Sequence, residues 1–488
     1  MHLVFVNPRA QAAHRRLPLS VLFLARGVPA GHTWSLHDAN VSADALADAE
    51  AEIARDPAGT VLLVTVMPGP QLREAAPWCR ALKARWPAVT VVWGGYFASV
   101  YPAAVARDRG VDLVVVGQGE RTLAELVDAL ARGADPAAVP GVAAWRDGGL
   151  ARGASRPMEV SSRFGPAPYD RLDLDRYAAR TFLGARTFNH HSSVGCPYVC
   201  NFCAVTSVSG GRWLADPAAD VVEAVDTLQR LGGADAIEFH DNNFFAAEGR
   251  VRQVAEGLVG RGLRWWGEGR IDTMLRWSDR TWQTMADSGL AMVFYGAESG
   301  DQEALDAMDK GGLQVTDTLA LNRRARSYGV VPEFSFVLGN PEDPEGDIDR
   351  SLRLIERLKA DNPRCEIILY MYTPVPLPGM LDHDAASDFA FPDDLDGWLA
   401  PRWNRYEDRR DPGTPWLTPQ LVRRVRDFEA VLHARWPSAS DRNLRRWQRG
   451  VLAALATPRV VTRRYRAPVV LRGLQRLWHY RRPEEMGF

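Results

Sequence analysis

HHSSVGCPYVCNFCAV, residues 190–205, is the stretch from which the rest of the chain is best interpreted. It places Cys196, Cys200 and Cys203 within eight residues of one another, although the 488-residue chain has only five cysteines. So few cysteines exclude a disulfide scaffold. The concentration of a rare residue at one place indicates that these three cysteines carry chemistry.

Three thiolates at Cys-x3-Cys-x2-Cys spacing suit an iron–sulfur cluster, because soft thiolate ligands favour iron held by bridging sulfides. A structural zinc site normally has four ligands, and His190 or His191 could supply a fourth, which leaves zinc open as the alternative. In a [4Fe–4S] cluster, three cysteines leave one iron free to bind a substrate or cofactor. The remaining Cys79 and Cys365 have no partners nearby in sequence and are expected to be inert thiols.

Around this loop, from about 186 to 385, short apolar segments alternate with helical ones. Six candidate strands stand in order: TFNHHSSVG, AIEFHDNNF, RWWGEGRI, AMVFYGAE, PEFSFVLG and EIILYMYTP. This alternation predicts a partial (β/α)6 barrel of parallel strands, whose functional residues lie at the carboxyl ends of the strands. The cysteine loop follows the first strand, which places it at the barrel mouth.

Residues 1–150 predict a doubly wound, Rossmann-like α/β domain. The candidate strands are LVFV, TVLLVTV, VTVVWGG and VDLVVVG, which are rich in Val and Leu and are expected to be buried on both faces. Ligands of such sheets bind beyond the carboxyl ends of the strands. The candidate ligand-binding residues there are Thr65, Met67, Gly94, Gly95, Tyr96, Gly117, Gly119 and Glu120. The alternative is that these glycines merely make tight turns.

The remaining segments differ in composition. Residues 151–185 mix Gly, Pro, Ser and charge without a clear period, which predicts a linker. Residues 386–488 predict a mainly helical domain rich in Arg and Trp. From 401 to 488 there are 20 arginines, no lysine and 8 Asp or Glu, although the whole chain has a net charge of −1. A solvated helical cap, an anionic substrate or a partner would each explain this charge, and nucleic acid is unlikely because no nucleic-acid motif accompanies it.

No targeting or membrane segment is evident in the sequence. The first residues lack the charged start and apolar core of a signal peptide. No run approaches the 18 or so apolar residues that span a bilayer. We therefore expect a soluble cytoplasmic protein with no membrane partner, in a compartment where thiols stay reduced and can hold metal.

CPYVCNFC, in a loop after a first barrel strand, resembles the signature of the radical S-adenosylmethionine (SAM) enzymes. In that family the open iron chelates SAM, and an electron from the cluster cleaves the sulfonium to give a 5′-deoxyadenosyl radical, which abstracts hydrogen from an unactivated carbon. The resemblance implies that Cys196, Cys200 and Cys203 hold a [4Fe–4S] cluster and that Phe202 packs near the adenine. It also implies an electron donor such as flavodoxin or ferredoxin.

The resemblance covers about residues 187–385. AIEFHDNNFF resembles the second-strand segment that faces the methionine part of SAM, which makes Asp241 and Asn243 cofactor candidates. WWGEGRID resembles the third strand and supplies Glu268 and Arg270. FYGAESGDQEALDAMDKG resembles the fourth strand and its helix, where Glu298 and Ser299 would contact the ribose or methionine moiety. FVLGNPEDPEGD and LYMYTPVPLPGM resemble the fifth and sixth strands, and on the sixth Tyr370 and Tyr372 are candidate catalytic groups on the substrate side.

VVWGGYFASVYPAAVARDRGVDLVVVGQGERTLAELVDAL resembles the cobalamin-binding domain that precedes one large branch of this family, the class B radical methylases. The chain lacks the Asp-x-His-x-x-Gly motif, so the resemblance implies cobalamin bound without histidine on cobalt. Tyr96 stands where histidine is frequent in that branch. The implied function is methylation of an unactivated carbon of a small-molecule, specialised-metabolite substrate. The alternatives are a non-methylating radical reaction, such as cyclisation, ring rearrangement or dehydration, and a binding protein that keeps only the fold.

Overall fold

The computed structural model describes residues 1–10, 15–374, 390–406, 408–438, 441 and 443–480. Its strands form two large sheets and one two-stranded ribbon, followed by helices. The predicted α/β class, with a Rossmann-like sheet, a parallel barrel sheet and a helical C-terminal region, is confirmed. The boundary predicted at 385/386, and the end of the predicted sixth-strand segment from residue 375, lie outside the described residues.

The first sheet has seven strands in the order β2-β1-β3-β4-β5-β6-β7. They are β1 (His2–Asn7), β2 (Thr33–Asp38), β3 (Thr60–Thr65), β4 (Thr90–Gly94), β5 (Leu113–Val115), β6 (Val142–Arg146) and β7 (Gly149–Arg152). The first five run parallel, and the last two turn back antiparallel. The sequence misses β2, β6 and β7. In β2 apolar and polar residues alternate, because this edge strand is only half-buried.

Six helices accompany this sheet: α1 (Leu19–Ala25), α2 (Ala45–Ile53), α3 (Pro70–Arg85), α4 (Tyr96–Val100), α5 (Pro102–Ala106) and α6 (Glu120–Ala131). The carboxyl ends of β3, β4 and β5 lie side by side, and the turns after them begin α3, α4 and α6. The sequence places its glycine-rich candidates in these turns.

The second sheet has six parallel strands in the order β15-β14-β13-β12-β11-β8. They are β8 (Thr187–His190), β11 (Ala236–Phe239), β12 (Arg264–Gly269), β13 (Leu290–Glu298), β14 (Val331–Leu338) and β15 (Glu366–Met371). Their outward side chains, such as Phe239, Trp265 and Phe334, form one hydrophobic core with the surrounding helices. This is the predicted partial barrel, and the carboxyl ends of its strands surround a common mouth.

The chain folds back once within the first predicted barrel strand. TFNHHSSVG divides into β8 and β9 (Ser193–Gly195), and β9 pairs antiparallel with β10 (Trp213–Ala215). The helices between and after the strands are α7 (Ala204–Ser209), α8 (Ala218–Gly232), α9 (Glu248–Leu258), α10 (Ile271–Leu275), α11 (Asp279–Asp287), α12 (Gln302–Ala307), α13 (Val315–Ser327) and α14 (Pro344–Asp361). The cysteine loop therefore directly follows β9 of the ribbon and not the barrel strand β8.

Residues 153–186 contain three short 3-10 helices and no longer element. Tyr169, Leu174 and Tyr177 from this stretch are nevertheless buried in the core of the second sheet. The absence of a regular hydrophobic pattern in the sequence is consistent with the irregular backbone. The segment is nevertheless packed against the barrel.

The described C-terminal residues form α15 (Leu395–Trp398), α16 (Pro401–Tyr406), α17 (Pro419–Arg435), α18 (Arg446–Val461) and α19 (Val469–Leu477). Trp398 and Trp403 pack into the core of the first sheet, whereas Val425 and Phe428 of α17 pack into the core of the second. The C-terminal region thus contacts both sheets. Among the described helices, none combines the length and hydropathy that a bilayer crossing requires.

Candidate functional site

The cysteine loop runs from the end of β9 to the start of α7. Cys200 is buried, Cys196 and Cys203 are half-buried, and all three are free thiols. The Thr206 hydroxyl donates to the Cys200 carbonyl at 3.1 Å, and the Asn201 amide donates to the Ala307 carbonyl at 2.8 Å. These bonds tie the loop to α7 and to the opposite side of the barrel mouth. The loop backbone is thereby fixed while its thiols stay available.

A buried guanidinium lies beside the middle cysteine. Arg270 Nη1 lies 3.4 Å from Cys200 Sγ, and Arg270 pairs with Asp272 at 3.0 Å. Its second amino group donates to the Lys310 carbonyl at 2.5 Å, and its plane lies 3.7 Å from the centroid of the Tyr198 ring. These contacts hold a positive charge beside the sulfur of Cys200.

A second cation lies near the third cysteine. Lys310 forms a buried ion pair with Glu298, and its Nζ lies 5.5 Å from the centroid of the Phe202 ring. Burial raises the pKa of Cys203, and the charge of Lys310 acts in the opposite direction. Three thiols on one loop, with two buried cations beside them, fit an anionic iron–sulfur cluster. Cys196, Cys200 and Cys203 would hold it.

Two polar residues after β11 differ in their availability. The carboxylate of Asp241 already accepts bonds from the Ser192 amide at 3.1 Å, the Ser192 hydroxyl at 2.8 Å and the Ser193 hydroxyl at 2.5 Å. Asn243 lies against the cluster loop, with Nδ2 3.8 Å from Cys196 Sγ. Its buried Oδ1 has no hydrogen-bond partner in the described part of the chain. Asn243 therefore offers a free acceptor at the mouth, while Asp241 secures the turn after β8.

The two histidines considered as zinc ligands face away from the cysteines. His190 is buried and is hydrogen-bonded to the Tyr169 hydroxyl at 2.7 Å. Burial lowers the pKa of His190 to about 4. His191 is hydrogen-bonded to the His240 carbonyl. Within the described ranges no three His, Cys, Asp or Glu side chains converge closely enough for a single metal ion. The geometry therefore gives the zinc alternative no support.

Ser299, at the carboxyl end of β13, belongs to a buried network. Its hydroxyl donates to Asp347, and the same carboxylate accepts from the Gly339 amide at 2.7 Å and the Asn340 amide at 3.1 Å. The network joins the turn after β13 to the turn after β14. Glu298, the residue before it, has the positive φ of 59° and is turned towards Lys310. Both predicted cofactor residues thus have protein partners.

Barrel strands β11 and β12 carry two acidic side chains, Glu238 and Glu268. Glu238 is buried and is bonded by Arg16 at 3.3 Å and by His240 at 3.0 Å. Glu268 lies on β12, two residues before Arg270. Burial, followed by the charge of Asp241, raises the pKa of Glu268 to about 7. A carboxyl group that titrates near neutrality is suited to accepting or donating a proton there.

The two predicted tyrosines have different surroundings. The Tyr370 hydroxyl accepts a bond from Arg409 at 3.3 Å, and burial raises its pKa to about 12. Tyr372 is buried against Met308, with the Trp416 ring centroid 6.1 Å away, and burial raises its pKa to about 12 as well. Both phenols therefore remain protonated at neutral pH. Tyr370 shares the barrel interior with Glu268, whereas Tyr372 packs at the rim.

A large cavity of about 630 Å³ lies between the first sheet and the cysteine loop. Seven of the eight predicted residues line it: Thr65, Gly94, Gly95, Tyr96, Gly117, Gly119 and Glu120. Met67 does not line it and is 48% exposed. Residues that the sequence did not single out also line it, among them Arg152, Ser155 and Arg156 before the barrel, and Ser207, Ser209 and Arg212 after the cysteines.

The walls of this cavity fit a large cofactor. Gly117 has φ +82°, and a Cβ there would meet no atom within 4 Å, so the backbone itself forms an open wall. Gly95 has φ +89°, and a Cβ would stand 2.8 Å from Thr65 Oγ1. Glu120 is already paired with Arg26 at 3.0 Å. The volume falls in the range of small-molecule and cofactor pockets. The glycine turns would therefore hold cobalamin through backbone contacts.

Tyr96 joins the cavity to the cysteine loop. It begins α4 and is half-buried, and its hydroxyl lies close to Ser207, four residues after Cys203. Burial raises the pKa of Tyr96, and the proximity of Cys203 adds to the rise. The wall of the large cavity and the cysteine loop are thus one continuous surface.

Comparison with known families agrees with this division. The family model described as the B12 binding domain matches residues 9–127. The family model described as the Radical SAM superfamily matches residues 191–355. The first match covers β2 to β5 of the first sheet, and the second covers the cysteine loop and β11 to β14 of the barrel sheet.

Two curated relatives and one solved structure extend the comparison. An uncharacterized methyltransferase of Pyrococcus horikoshii is 26% identical over 322 residues, which are 65% of this chain and 66% of that protein. The anaerobic magnesium-protoporphyrin IX monomethyl ester cyclase of a Synechocystis strain is 24% identical over 366 residues, 72% of each chain. The radical SAM methyltransferase TsrM from Kitasatospora setae, solved with cobalamin and a [4Fe–4S] cluster, has a TM-score of 0.62 and 20% identity, with 78% of this chain and 74% of that chain covered. The first of these alignments spans just under two thirds of the relative's length.

Proposed function

This chain is a radical SAM enzyme with a B12-binding domain, and we propose that it transfers a methyl group to an unactivated carbon of a small-molecule substrate. When bound, the cluster and SAM supply a hydrogen-abstracting radical, and cobalamin supplies the methyl group. The relatives named methyltransferases support this choice among the reactions of the family.

The observation that carries the proposal is the shared wall between the two cofactor sites. Tyr96, from the turn that lines the large cavity, lies beside Ser207 on the helix that follows Cys203. Methyl transfer to a carbon radical requires the methyl donor and the radical source to face one substrate position. The cavity is lined by Gly195, directly before the first cysteine, and by Ser207 to Ser209, shortly after the last one, which supports such an arrangement.

On the cluster side, the residues bind and neutralise charge. Cys196, Cys200 and Cys203 would hold the cluster, and Arg270 would offset its negative charge beside Cys200. The Lys310–Glu298 pair would cover the Phe202 ring beside the adenine position. Asn243, whose Oδ1 lacks a partner in the described chain, would accept a bond from the amino group of SAM.

On the substrate side, the barrel interior offers proton acceptors and donors. Glu268 titrates near neutral pH and faces the same interior as Tyr370. We assign to Glu268 the proton that a substrate gains or loses, and to Tyr370 a hydrogen bond that orients the substrate. Arg409 fixes the Tyr370 hydroxyl from the C-terminal region.

A non-methylating radical reaction is the second candidate. It is favoured by the alignment with the magnesium-protoporphyrin ester cyclase, which covers a larger share of this chain than the alignment with the Pyrococcus methyltransferase. Such a reaction would use the same cluster loop, and its products would carry no methyl group from SAM.

One experiment separates the two candidates. The enzyme, reconstituted with iron, sulfide and cobalamin, is incubated with a chemical reductant, methyl-labelled SAM and candidate small molecules. We expect label in a new small-molecule product together with 5′-deoxyadenosine, and neither with Cys200→Ala. A new product and 5′-deoxyadenosine without transferred label would refute methylation and support the second candidate.

A further inference from the structure

The outer face of helix α18 is apolar from Trp447 to Val461. Trp447, Val451, Leu455 and Val461 are 58%, 39%, 46% and 76% exposed. Every exposed residue from 447 to 461 is uncharged and apolar. The opposite face is also apolar, because Leu452 and Ala456 are fully buried against α17 and α19. A surface helix normally presents polar side chains to solvent, whereas this outer face presents apolar ones.

Helix α19 extends the same kind of surface. Val469 and Val470 are 72% and 66% exposed, and Leu477 is 69% exposed. The ring of Trp478, which follows α19, meets that of Trp447 edge to face at 5.4 Å between centroids. The carboxyl end of α19 therefore lies beside the start of α18, and the two helices run in opposite directions. We call the exposed apolar side chains of both helices the apolar face.

The charge around the apolar face has one sign. Residues 442–480 contain ten arginines and no Asp, Glu or Lys. Arg449, Arg463 and Arg472 pair with carboxylates that lie outside this stretch. Six further arginines contact no carboxylate among the described residues: Arg445, Arg446, Arg459, Arg464, Arg466 and Arg476. They stand at the start of α18, at its end, in the turn to α19 and near the end of α19.

We propose that the apolar face of α18 and α19 docks this protein on the surface of an anionic phospholipid bilayer. An interfacial helix buries Trp, Leu and Val at the boundary of the acyl chains while Arg side chains reach the headgroups. Clustered arginines add attraction to anionic lipid that no neutral surface supplies. The protein lies on the bilayer without crossing it, since none of the described helices can span one. This proposal departs from the sequence expectation of no membrane partner.

Other occupants fit these features less well. A second copy would bring two arginine-rich faces together without any acidic residue between 442 and 480 to pair with them. A nucleic acid would use the arginines but would leave the large aliphatic side chains without a partner. A bilayer accepts both the apolar face and the arginines of the same segment.

Flotation with vesicles tests the proposal on the full-length protein. Vesicles of phosphatidylcholine mixed with phosphatidylglycerol are compared with vesicles of phosphatidylcholine alone, at low and high salt. We expect the protein to float with the anionic vesicles and this binding to weaken at high salt. Binding to the neutral vesicles should be weaker by at least about tenfold. The double variant Val451→Glu/Leu455→Glu should lose the binding. Leu231→Glu/Val259→Glu changes two similarly exposed apolar residues on other helices and should keep it.

Each other result overturns the proposal. Failure of the unaltered protein to float with anionic vesicles does so directly. Equal binding by the Val451→Glu/Leu455→Glu variant removes the apolar face from the contact. In another outcome, the unaltered protein forms a dimer in light scattering, or binds a duplex DNA or an RNA hairpin, without binding vesicles. If the Val451→Glu/Leu455→Glu variant abolishes that interaction, the apolar face belongs to another occupant. If the variant misfolds by circular dichroism, Arg464→Gln/Arg466→Gln replaces it, and unchanged affinity for anionic vesicles then refutes the electrostatic contact.

Discussion

The cysteine loop and the large cavity share a wall, yet they are built in opposite ways. Side chains form the site at the loop: three thiols, Arg270 beside Cys200, and the Lys310–Glu298 pair. Exposed backbone forms the wall of the cavity, because the turns after β4 and β5 contain glycines, which have no side chain. Cluster binding at the cysteine loop should therefore be lost when a side chain is removed, whereas cofactor binding in the cavity should weaken when a side chain is added.

Removal of a cluster ligand should have the largest effect. Cys200→Ala leaves two thiols for a cluster that needs three protein ligands, and Arg270 then loses the sulfur beside it. We expect 5′-deoxyadenosine formation to fall by about three orders of magnitude, to background. Iron content and the visible absorbance of the reconstituted protein should fall with it.

The matched control for this change is Cys79→Ala. Cys79 is buried in the core of the first sheet, and burial raises its pKa to about 12, so it is no thiolate ligand. Its loss should leave cluster content and SAM cleavage unchanged. Equal loss in both variants would mean that the three-cysteine assignment is wrong.

Filling the cavity wall should have the next largest effect. Gly117→Val adds a branched side chain where a Cβ now meets open space. We expect cobalamin affinity to fall about 10- to 100-fold, the equivalent of roughly 1–3 kcal/mol, while SAM cleavage persists. Equilibrium dialysis with hydroxocobalamin measures the first quantity, and 5′-deoxyadenosine the second.

Gly148→Val separates space from backbone strain. Gly148 has φ +76° and open surroundings like Gly117, but it stands in the exposed turn between β6 and β7. Its substitution carries the same backbone cost without entering the cavity. If Gly148→Val weakened cobalamin binding as much as Gly117→Val, the cavity would not be the site.

The contrast between side chains and space also explains how much could be predicted from the sequence. The cysteine spacing and the buried strands are local patterns, so the loop, four strands of the first sheet and all six strands of the barrel sheet are evident from the sequence alone. Gly94, Gly95 and Gly117 are readable because parallel strands end at one edge of the sheet. Met67 follows the same strand end but points away, which no strand pattern encodes.

What the sequence could not give are contacts between distant segments. The position of Arg26 against Glu120, or of Tyr96 against Ser207, depends on how segments far apart in the chain pack together. Asp241 was expected to face the cofactor, yet Ser192 and Ser193 occupy its carboxylate. The arginine excess near the C-terminus was visible, but the uncharged outer face of α18 becomes apparent only once α17 shows which side is buried.

The barrel interior adds a pH test to the comparison. Burial raises the pKa of Glu268 from 4.5 to about 7, so between these values the folded protein keeps a proton that the unfolded chain releases. Its contribution to the free energy of unfolding must therefore fall as pH rises through this window. Glu268→Gln removes the titration, so its melting temperature should exceed that of the unaltered protein at about pH 8 and approach it near pH 5.

The same variant reports on catalysis. If Glu268 acts as a carboxylate on the substrate, activity should rise through about pH 7 in the unaltered protein, and Glu268→Gln should be up to about tenfold slower with no such rise. The pH dependence of product formation at saturating SAM measures this. A pH–activity profile of Glu268→Gln that still rises through neutrality would place the titrating group elsewhere, on the cluster side of the wall.

The junction itself should give the smallest effect. Tyr96→Phe keeps the ring in the wall and removes only the hydroxyl beside Ser207, a change worth about 0.5–1.5 kcal/mol at most. Cobalamin affinity and cluster content should each stay within about threefold of the unaltered protein, because neither site depends on this hydroxyl alone. The ratio of methylated product to 5′-deoxyadenosine should nevertheless fall, since this contact helps to position one cofactor surface relative to the other. Tyr295→Phe, deep in the core of the second sheet, removes a phenol remote from both sites and should leave that ratio unchanged. An unaltered ratio in Tyr96→Phe would show that the two surfaces are aligned by the fold as a whole and not by the hydroxyl of Tyr96.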